Sequence, residues 1–279
     1  MNLVKSSDEI AAIQSLYARA HFLGVRQLAV HFETTAEAIR ELLPPPLEPA
    51  VDPLGVAWFA EIGDSNCMGG FNGGGVYLRA RYKDITGHYC VAAPRSTADA
   101  MAVGRDLFGE PTKLAKVVFE TTDEHVWGHA ERHEVRFLSG RGRYDEDGAP
   151  GRGEFSSFQF KFMRRSDGAG FECPPRLVHV TSTFNATATK RGRGELVLRE
   201  SPHDPLSDIP VRQVVEAVYS EGQMYATAHV LCEVDPEAFL PYSFTRNDAR
   251  ELLAENTILH GQASRTSRDG RGQWRKTGD

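Results

Sequence analysis

The order of apolar and polar residues predicts two short helices near the N-terminus, separated by a strand. A Ser-x-x-Glu capping box followed by apolar residues at helical spacing predicts a helix over residues 7–20. Residues 25–33 alternate between apolar and polar side chains, which is typical of a strand. A second capping box begins a helix that runs through Leu43, and the prolines at 44–46 end it because proline cannot continue a helical turn.

Beyond residue 54 the pattern changes to short runs of β-branched and aromatic residues between turns. Residues 56–62 and 76–82 are the clearest strands, and a helix is predicted over residues 97–108. The glycine-rich segment 69–75 between the two strands predicts a mobile loop over a pocket, because glycine disfavours regular structure. Further strands are predicted within 115–164 and at 177–187, 195–199 and 224–234. This order indicates an α+β domain dominated by antiparallel strands.

Composition and charge exclude several classes of protein. The net charge of −6 argues against a dedicated nucleic-acid binder, which carries a basic surplus. No run approaches the ~18 apolar residues that span a bilayer, so no membrane partner is predicted. The four cysteines are widely separated and the first residues do not form a secretory signal, which together predict free thiols in the cytoplasm.

The last sixteen residues differ in composition from the rest of the chain. Residues 264–279 are rich in arginine, glycine and serine and are predicted to form a flexible basic tail. Residues 1–263 are predicted to form a single domain. A nucleic-acid contact through the tail is the alternative to a solvated segment, and we predict the solvated segment.

Three histidines at a spacing of four residues, His125, His129 and His133, raise the question of a metal site. On a helix they would share one face and could bind a metal ion. The surrounding residues predict strands instead, and a strand separates successive histidines of this spacing by about 13 Å. We therefore predict no metal site and no cofactor.

The segment AVGRDLFGEPTKLA, residues 102–115, resembles the signature of the acetoacetate decarboxylase family, approximately A-x-G-R-E/D-x-x-G-x-P-K-K-L-A. Other segments that resemble the family follow in the same order: TTAEAIRELLPPPL from Thr34, WFAEI from Trp58 and SPHDPLSDIPV from Ser201. The resemblance covers roughly residues 22–245. It implies an α+β fold with a closed, cone-like antiparallel β-barrel and flanking helices, and it implies a homo-oligomer.

The resemblance also implies a chemistry, from which this chain departs. In the family, the first lysine of the K-K pair attacks a ketone to form a Schiff base that draws electrons from the bond to the departing carbon dioxide. Here that position is Thr112, whereas the second lysine is retained as Lys113. Threonine cannot form an imine. If residues 111–115 are extended, neighbouring side chains point to opposite faces, so Thr112 faces the pocket and Lys113 faces away.

A second departure concerns the charged groups of the pocket. The family has a Y-x-E pattern where this chain has Tyr77-Leu78-Arg79, whereas Glu61 matches the other pocket glutamate of the family. We predict that arginines bind a substrate carboxylate and that Glu61 acts as a general acid or base. The predicted catalytic residues are Glu61, Arg79, Thr112 and Lys113, and the predicted substrate-binding residues are Arg26, Tyr77 and Arg105. The alternatives are structural: Arg79 paired with Glu61, Arg105 in an ion pair, Thr112 in a strand and Lys113 at the surface.

The functional prediction is an enzyme, a divergent lyase of this family, that acts on a small oxo-acid or related carboxylate by acid/base chemistry without the lysine imine. One alternative is a Schiff-base decarboxylase or aldolase in which Lys113 reaches the pocket. The other is a barrel that binds a small ligand without catalysis.

Overall fold

The computed structural model describes residues 3–248 and, beyond them, the backbone of two short strands. The helices are α1 Ser7–Ala18, α2 Ala36–Leu42, α3 Ala98–Val103 and α4 Pro236–Phe239, with a π-helical turn at Gly104–Phe108 and 3-10 turns at Leu206–Asp208 and Leu240–Arg246. None of the helices in the described part of the chain is long and apolar enough to cross a membrane.

Seventeen strands follow one another along the described chain. They are β1 Ala20–Glu33, β2 Glu48–Pro49, β3 Leu54–Ile62, β4 Asp64–Ser65, β5 Phe71–Tyr82, β6 Ile85–Arg95, β7 Thr112–Leu114, β8 Lys116–Thr121, β9 His125–Arg132, β10 Val135–Arg143, β11 Glu146–Gly148, β12 Gly151–Lys161, β13 Arg176–Gly192, β14 Gly194–Leu198, β15 Gln213–Glu233, β16 Thr266–Arg268 and β17 Trp274–Lys276. The predicted α+β class with a majority of strands is therefore confirmed.

The strands form one large sheet, one smaller sheet and a separate two-stranded sheet. The large sheet has the order β2-β5-β3-β1-β15-β13-β12-β6-β7, and β5 pairs with β6 as well as with β3. Most pairs are antiparallel, whereas β6 runs parallel to both β12 and β7. The smaller sheet has the order β14-β10-β9-β8. Strands β16 and β17 pair with each other, and the rest of the predicted tail lies outside the described residues.

The two sheets pack closely around the ring of Phe59. Gly128 and Gly140 are paired across β9 and β10. A Cβ atom at either glycine would lie 2.6 Å from atoms of Phe59. Because both glycines lack a side chain, the smaller sheet can approach the fully buried Phe59, and the main hydrophobic core forms between the sheets.

The prediction of a mobile loop at residues 69–75 is wrong in its main part, because β5 already begins at Phe71. The glycines serve close approach within the strand. A Cβ atom at Gly75 would lie 2.6 Å from the ring of Tyr77, and one at Gly73 would lie 3.3 Å from the ring of Trp58. Bulkier residues would displace these rings, so a run that suggests flexibility is part of an ordered wall.

Candidate functional site

One face of the large sheet lines a cavity of about 440 Å³. Its walls come mainly from β1, β3, β5, β12, β13 and β15, whose side chains point alternately into the cavity and away from it. Most of the lining is apolar and rich in aromatic rings. The buried charged groups in this lining are Arg95 and Glu110.

Arg95 and Glu110 form an ion pair within the cavity wall. The distance from Arg95 Nη2 to Glu110 Oε2 is 2.8 Å, and the side chains are only 6% and 15% exposed. Arg95 Nη1 also donates to the carbonyl oxygens of Gly74 at 2.7 Å and Pro94 at 3.1 Å. Burial opposes the charge of the guanidinium, but the Glu110 carboxylate, Tyr77 and Cys90 together outweigh this effect and raise the pKa of Arg95.

A tyrosine and a cysteine lie beside this ion pair. Tyr77 on β5 pairs with Cys90 on β6, and Tyr77 lines the cavity. Burial raises the pKa of the Tyr77 phenol well above its usual value, and burial likewise raises the pKa of the Cys90 thiol. Both groups therefore remain protonated at neutral pH, which makes the Tyr77 hydroxyl a hydrogen-bond donor.

Two glycines of the 102–115 segment bring Glu110 to the cavity. Gly109 has a φ of +81°, and a Cβ atom there would lie 2.8 Å from the backbone nitrogen of Lys161. A Cβ atom at Gly104 would lie 2.8 Å from both the Glu110 carboxylate and the Thr112 methyl. The chain can therefore turn sharply after α3 and place the carboxylate against Arg95.

Thr112 and Lys113 occupy different environments, and neither is among the residues that line this cavity. Thr112 is fully buried, and its hydroxyl donates to the carbonyl oxygen of Met101 at 2.8 Å. Lys113 lines a second cavity of about 270 Å³ that shares no lining residue with the first. Its ammonium lies 3.1 Å from Asp204 and 3.3 Å from Asp248.

The predicted residues Arg26 and Glu61 pair with each other in register between β1 and β3. Arg26 Nη2 lies 2.8 Å from Glu61 Oε2, and the side chains are 42% and 37% exposed. Trp58 and Ile62 of β3 line the cavity, so alternation along the strand directs Glu61 to the other face. The two residues form a surface ion pair outside the cavity lining.

The two other predicted arginines also lie outside the lining, whereas Tyr77 is part of it. Arg79 of β5 pairs in register with His88 of β6. Arg105 donates to the backbone carbonyl oxygens of Thr112 at 2.7 Å and Arg246 at 3.2 Å. These contacts tie the turn after α3 to the end of the described chain. The catalytic and binding roles predicted for these residues stay predictions.

Sequence reasoning missed the two residues that form the buried ion pair. Glu110 occupies a variable position of the family signature, two residues before Thr112, and its charge within a buried motif was the available signal. Arg95 lies in no motif. Its place next to the cavity depends on the pairing of β6 with β5 and β7, which the sequence does not specify.

Among the described residues, one group of side chains has metal-ligand spacing. The ligand atoms of His133, His203 and Asp248 lie within 4.8 Å of one another. Partial burial opposes the charge of Asp248, but contacts with Arg132 and Lys113 hold the pKa of its carboxyl well below the usual value. A metal ion would have to compete with these two fixed cations, so the group does not support a metal site.

The model of the acetoacetate decarboxylase family matches residues 8–232. Acetoacetate decarboxylase of Burkholderia cenocepacia (strain HI2424) is 27% identical over 199 residues, which are 68% of this chain and 78% of the relative. The corresponding protein of Burkholderia mallei (strain NCTC 10229) is 27% identical over 205 residues, covering 70% and 81%.

Two solved structures have the same fold. Acetoacetate decarboxylase from Legionella pneumophila has a TM-score of 0.70 at 19% identity, with 77% of this chain and 87% of that chain covered. The enduracididine biosynthesis enzyme MppR, solved in complex with pyruvate, has a TM-score of 0.65 at 17% identity, with 77% and 91% covered.

Proposed function

Because the chain belongs to the acetoacetate decarboxylase family, we propose that it is a lyase-type enzyme that acts on a small oxo-acid without an imine on lysine. The observation that carries the proposal is the buried Arg95–Glu110 pair on the wall of a cavity whose described lining contains no lysine. The pyruvate complex of MppR supports an oxo-acid as the ligand.

The proposal includes a closed, cone-like barrel around the cavity. Its support is that β5 pairs with both β3 and β6, so that the pairing order of the large sheet returns to β5. Closure would exclude water from the cavity and strengthen the electrostatic interactions inside it. Homo-oligomerisation and a cytoplasmic location stay predictions.

Arg95 is the proposed binding group for the substrate carboxylate. A guanidinium has five N–H donors, and the contacts of Arg95 with described residues use three of them. The remaining donors can bind a carboxylate in the bidentate manner that suits arginine. Because Arg95 is buried among aromatic rings, its interaction with an anion is stronger than it would be in water.

Glu110 is the proposed general base, and Tyr77 is the proposed hydrogen-bond donor to the keto oxygen. Glu110 removes a proton from the carbon next to the keto group, the C–H electrons form the carbon–carbon double bond of an enolate, and the keto oxygen takes the negative charge. The Tyr77 hydroxyl and the Arg95 guanidinium stabilise that oxygen by hydrogen bonding and charge. Lys113 takes no part, because its side chain lines the second cavity and is held there between Asp204 and Asp248.

The test is the exchange of pyruvate methyl protons for deuterium, followed by proton NMR in D₂O. We expect the wild-type protein to accelerate exchange and Glu110→Gln to slow the catalysed rate about 100-fold or more. Tyr77→Phe loses one donor to the enolate oxygen and is expected to slow the rate by about 100-fold. Glu48→Gln, which alters an exposed ion pair with Arg81, serves as the control and retains the wild-type rate.

Borohydride reduction in the presence of pyruvate or acetoacetate, followed by peptide mass mapping, tests for the imine. A family member with both lysines of the motif provides the positive control, and we expect no adduct on this chain. An adduct on Lys113, or an unchanged exchange rate in Glu110→Gln, would overturn the proposal. Ligand-induced thermal stabilisation without any exchange would favour a binding protein without catalysis.

A further inference from the structure

The cavity has a larger volume than the smallest oxo-acids can fill. If each heavy atom takes at most the ~30 Å³ of a water molecule, pyruvate fills about 180 Å³ and acetoacetate about 210 Å³. The cavity measures about 440 Å³. More than half of the cavity therefore stays empty when either acid is bound.

The lining of the cavity is rich in aromatic rings, and its charged residues Arg152, Glu154 and Arg191 are exposed. Six aromatic side chains besides Tyr77 line the cavity: Phe22, Trp58, Phe71, Phe108, Phe155 and Phe184. Phe155 meets Tyr77 edge to face, with ring centroids 5.4 Å apart. Two methionines, Met68 and Met224, add side chains that adapt to irregular shapes. Such a wall suits a flat apolar ring, which can pack edge to face or offset against several aromatic partners.

We propose that the substrate is a 2-oxo acid with a ring-bearing apolar substituent, an inference that rests on the proposed function. The carboxylate and keto group lie at Arg95, Glu110 and Tyr77, and the substituent lies against the aromatic wall. An acid such as 2-oxo-4-phenylbutanoate has 13 heavy atoms and fills at most about 390 Å³, which the cavity accommodates.

Ala29 offers a means to change the cavity volume while Arg95, Glu110 and Tyr77 keep their own side chains. It lies on β1 between Trp58 of β3 and Val218 of β15, and it lines the cavity. Ala29→Leu adds three carbon atoms and removes up to about 90 Å³, which leaves room for pyruvate but not for the 13-atom acid. The matched control is Ala228→Leu, because Ala228 is an exposed residue of β15 outside the lining.

The experiment measures the dissociation constants of pyruvate, 4-methyl-2-oxopentanoate and 2-oxo-4-phenylbutanoate by isothermal calorimetry. In the wild-type protein we expect affinity to rise along this series, with the phenyl compound about 10- to 100-fold tighter than pyruvate. In Ala29→Leu the phenyl compound weakens at least tenfold while pyruvate changes less than twofold. Ala228→Leu matches the wild-type protein for all three acids.

The outcomes separate this inference from the function on which it rests. Equal affinity for all three acids, or equal weakening of all three in Ala29→Leu, overturns the substituent preference. Deuterium exchange of pyruvate without a size preference leaves the acid/base function intact and overturns only this inference. A size preference that Ala29→Leu abolishes, without proton exchange from any of the acids, supports the ligand class and overturns the catalytic function.

Discussion

Removal of the Glu110 charge is the sharpest test of the buried ion pair. Glu110→Gln leaves the Arg95 guanidinium, whose side chain is 6% exposed, without a compensating charge. Removing one partner of a buried ion pair typically costs about 3–5 kcal/mol. Arg95 retains its bonds to the carbonyl oxygens of Gly74 and Pro94, so we expect the lower end, a loss of about 3 kcal/mol in the free energy of unfolding.

The assay is urea denaturation followed by fluorescence, with the melting temperature as a second readout. A loss of about 3 kcal/mol corresponds to a decrease of about 6–12 °C in a domain of this size. Glu48→Gln is the matched control, because it breaks an ion pair with Arg81 whose side chains are 51% and 62% exposed. Exposed pairs contribute about 0–1 kcal/mol, so this variant changes stability little.

A double variant separates the loss of charge balance from the loss of packing. Arg95→Met combined with Glu110→Leu removes both charges and keeps apolar volume, so it should recover most of the stability that Glu110→Gln loses. If Glu110→Gln is as stable as Glu48→Gln, the carboxylate does not neutralise a buried arginine. The electrostatic account of the cavity would then fail.

Three further variants test other features of the fold. Lys113→Met loses contacts with Asp204 and Asp248, which should lower the free energy of unfolding in urea by about 2–4 kcal/mol. The rate of pyruvate proton exchange should stay at the wild-type value. Loss of exchange in this variant would indicate a catalytic lysine. Gly109→Ala places a Cβ atom against the backbone of Lys161 at a positive φ and should lower the free energy of unfolding by about 2–4 kcal/mol. The control is Gly153→Ala, which has open space around it and should change stability by less than about 0.5 kcal/mol. Equal effects of the two variants would contradict the close approach at Gly109. Burial lowers the pKa of His88 from 6.5 to about 4, so the stability that the neutral imidazole contributes is fully present above pH 6.5 and is lost as the pH falls towards 4. In His88→Gln the urea midpoint should therefore fall less over this interval than in the wild-type protein. An unchanged pH profile would refute the lowered pKa of His88.

The sequence predicted the secondary structure best where periodicity and local signals agree. The helix predicted at residues 7–20 is observed at Ser7–Ala18, and the strand predicted at 25–33 lies within Ala20–Glu33. The glycine-rich segment was predicted wrongly because glycine has two opposite meanings. It marks flexibility in a loop, but in Phe71–Tyr82 it marks close approach of neighbouring rings, and only the partner strands distinguish the two cases.

The candidate site was less accessible from the sequence because it depends on tertiary pairing. The absence of the first lysine is visible in the motif, and so is the retained Lys113. The ion pair of Arg95 with Glu110 joins residues fifteen positions apart, which meet because the turn after α3 returns the chain to the edge of β6. Local pattern carries no information about this return.

The proposed role of Arg95 also bears on which reaction the cavity can accelerate. Catalysis requires that an interaction be stronger in the transition state than in the bound substrate. A buried arginine that binds the substrate carboxylate stabilises that carboxylate, and this stabilisation is lost as the group leaves as neutral carbon dioxide. The same contact is kept during enolisation, aldol addition and dehydration, in which the carboxylate remains. We therefore expect the protein to exchange the acidic protons of 2-oxo acids without releasing acetone from acetoacetate above the uncatalysed rate. Headspace detection of acetone alongside NMR in D₂O measures both, and rapid acetone formation with no exchange would show that Arg95 does not anchor the carboxylate.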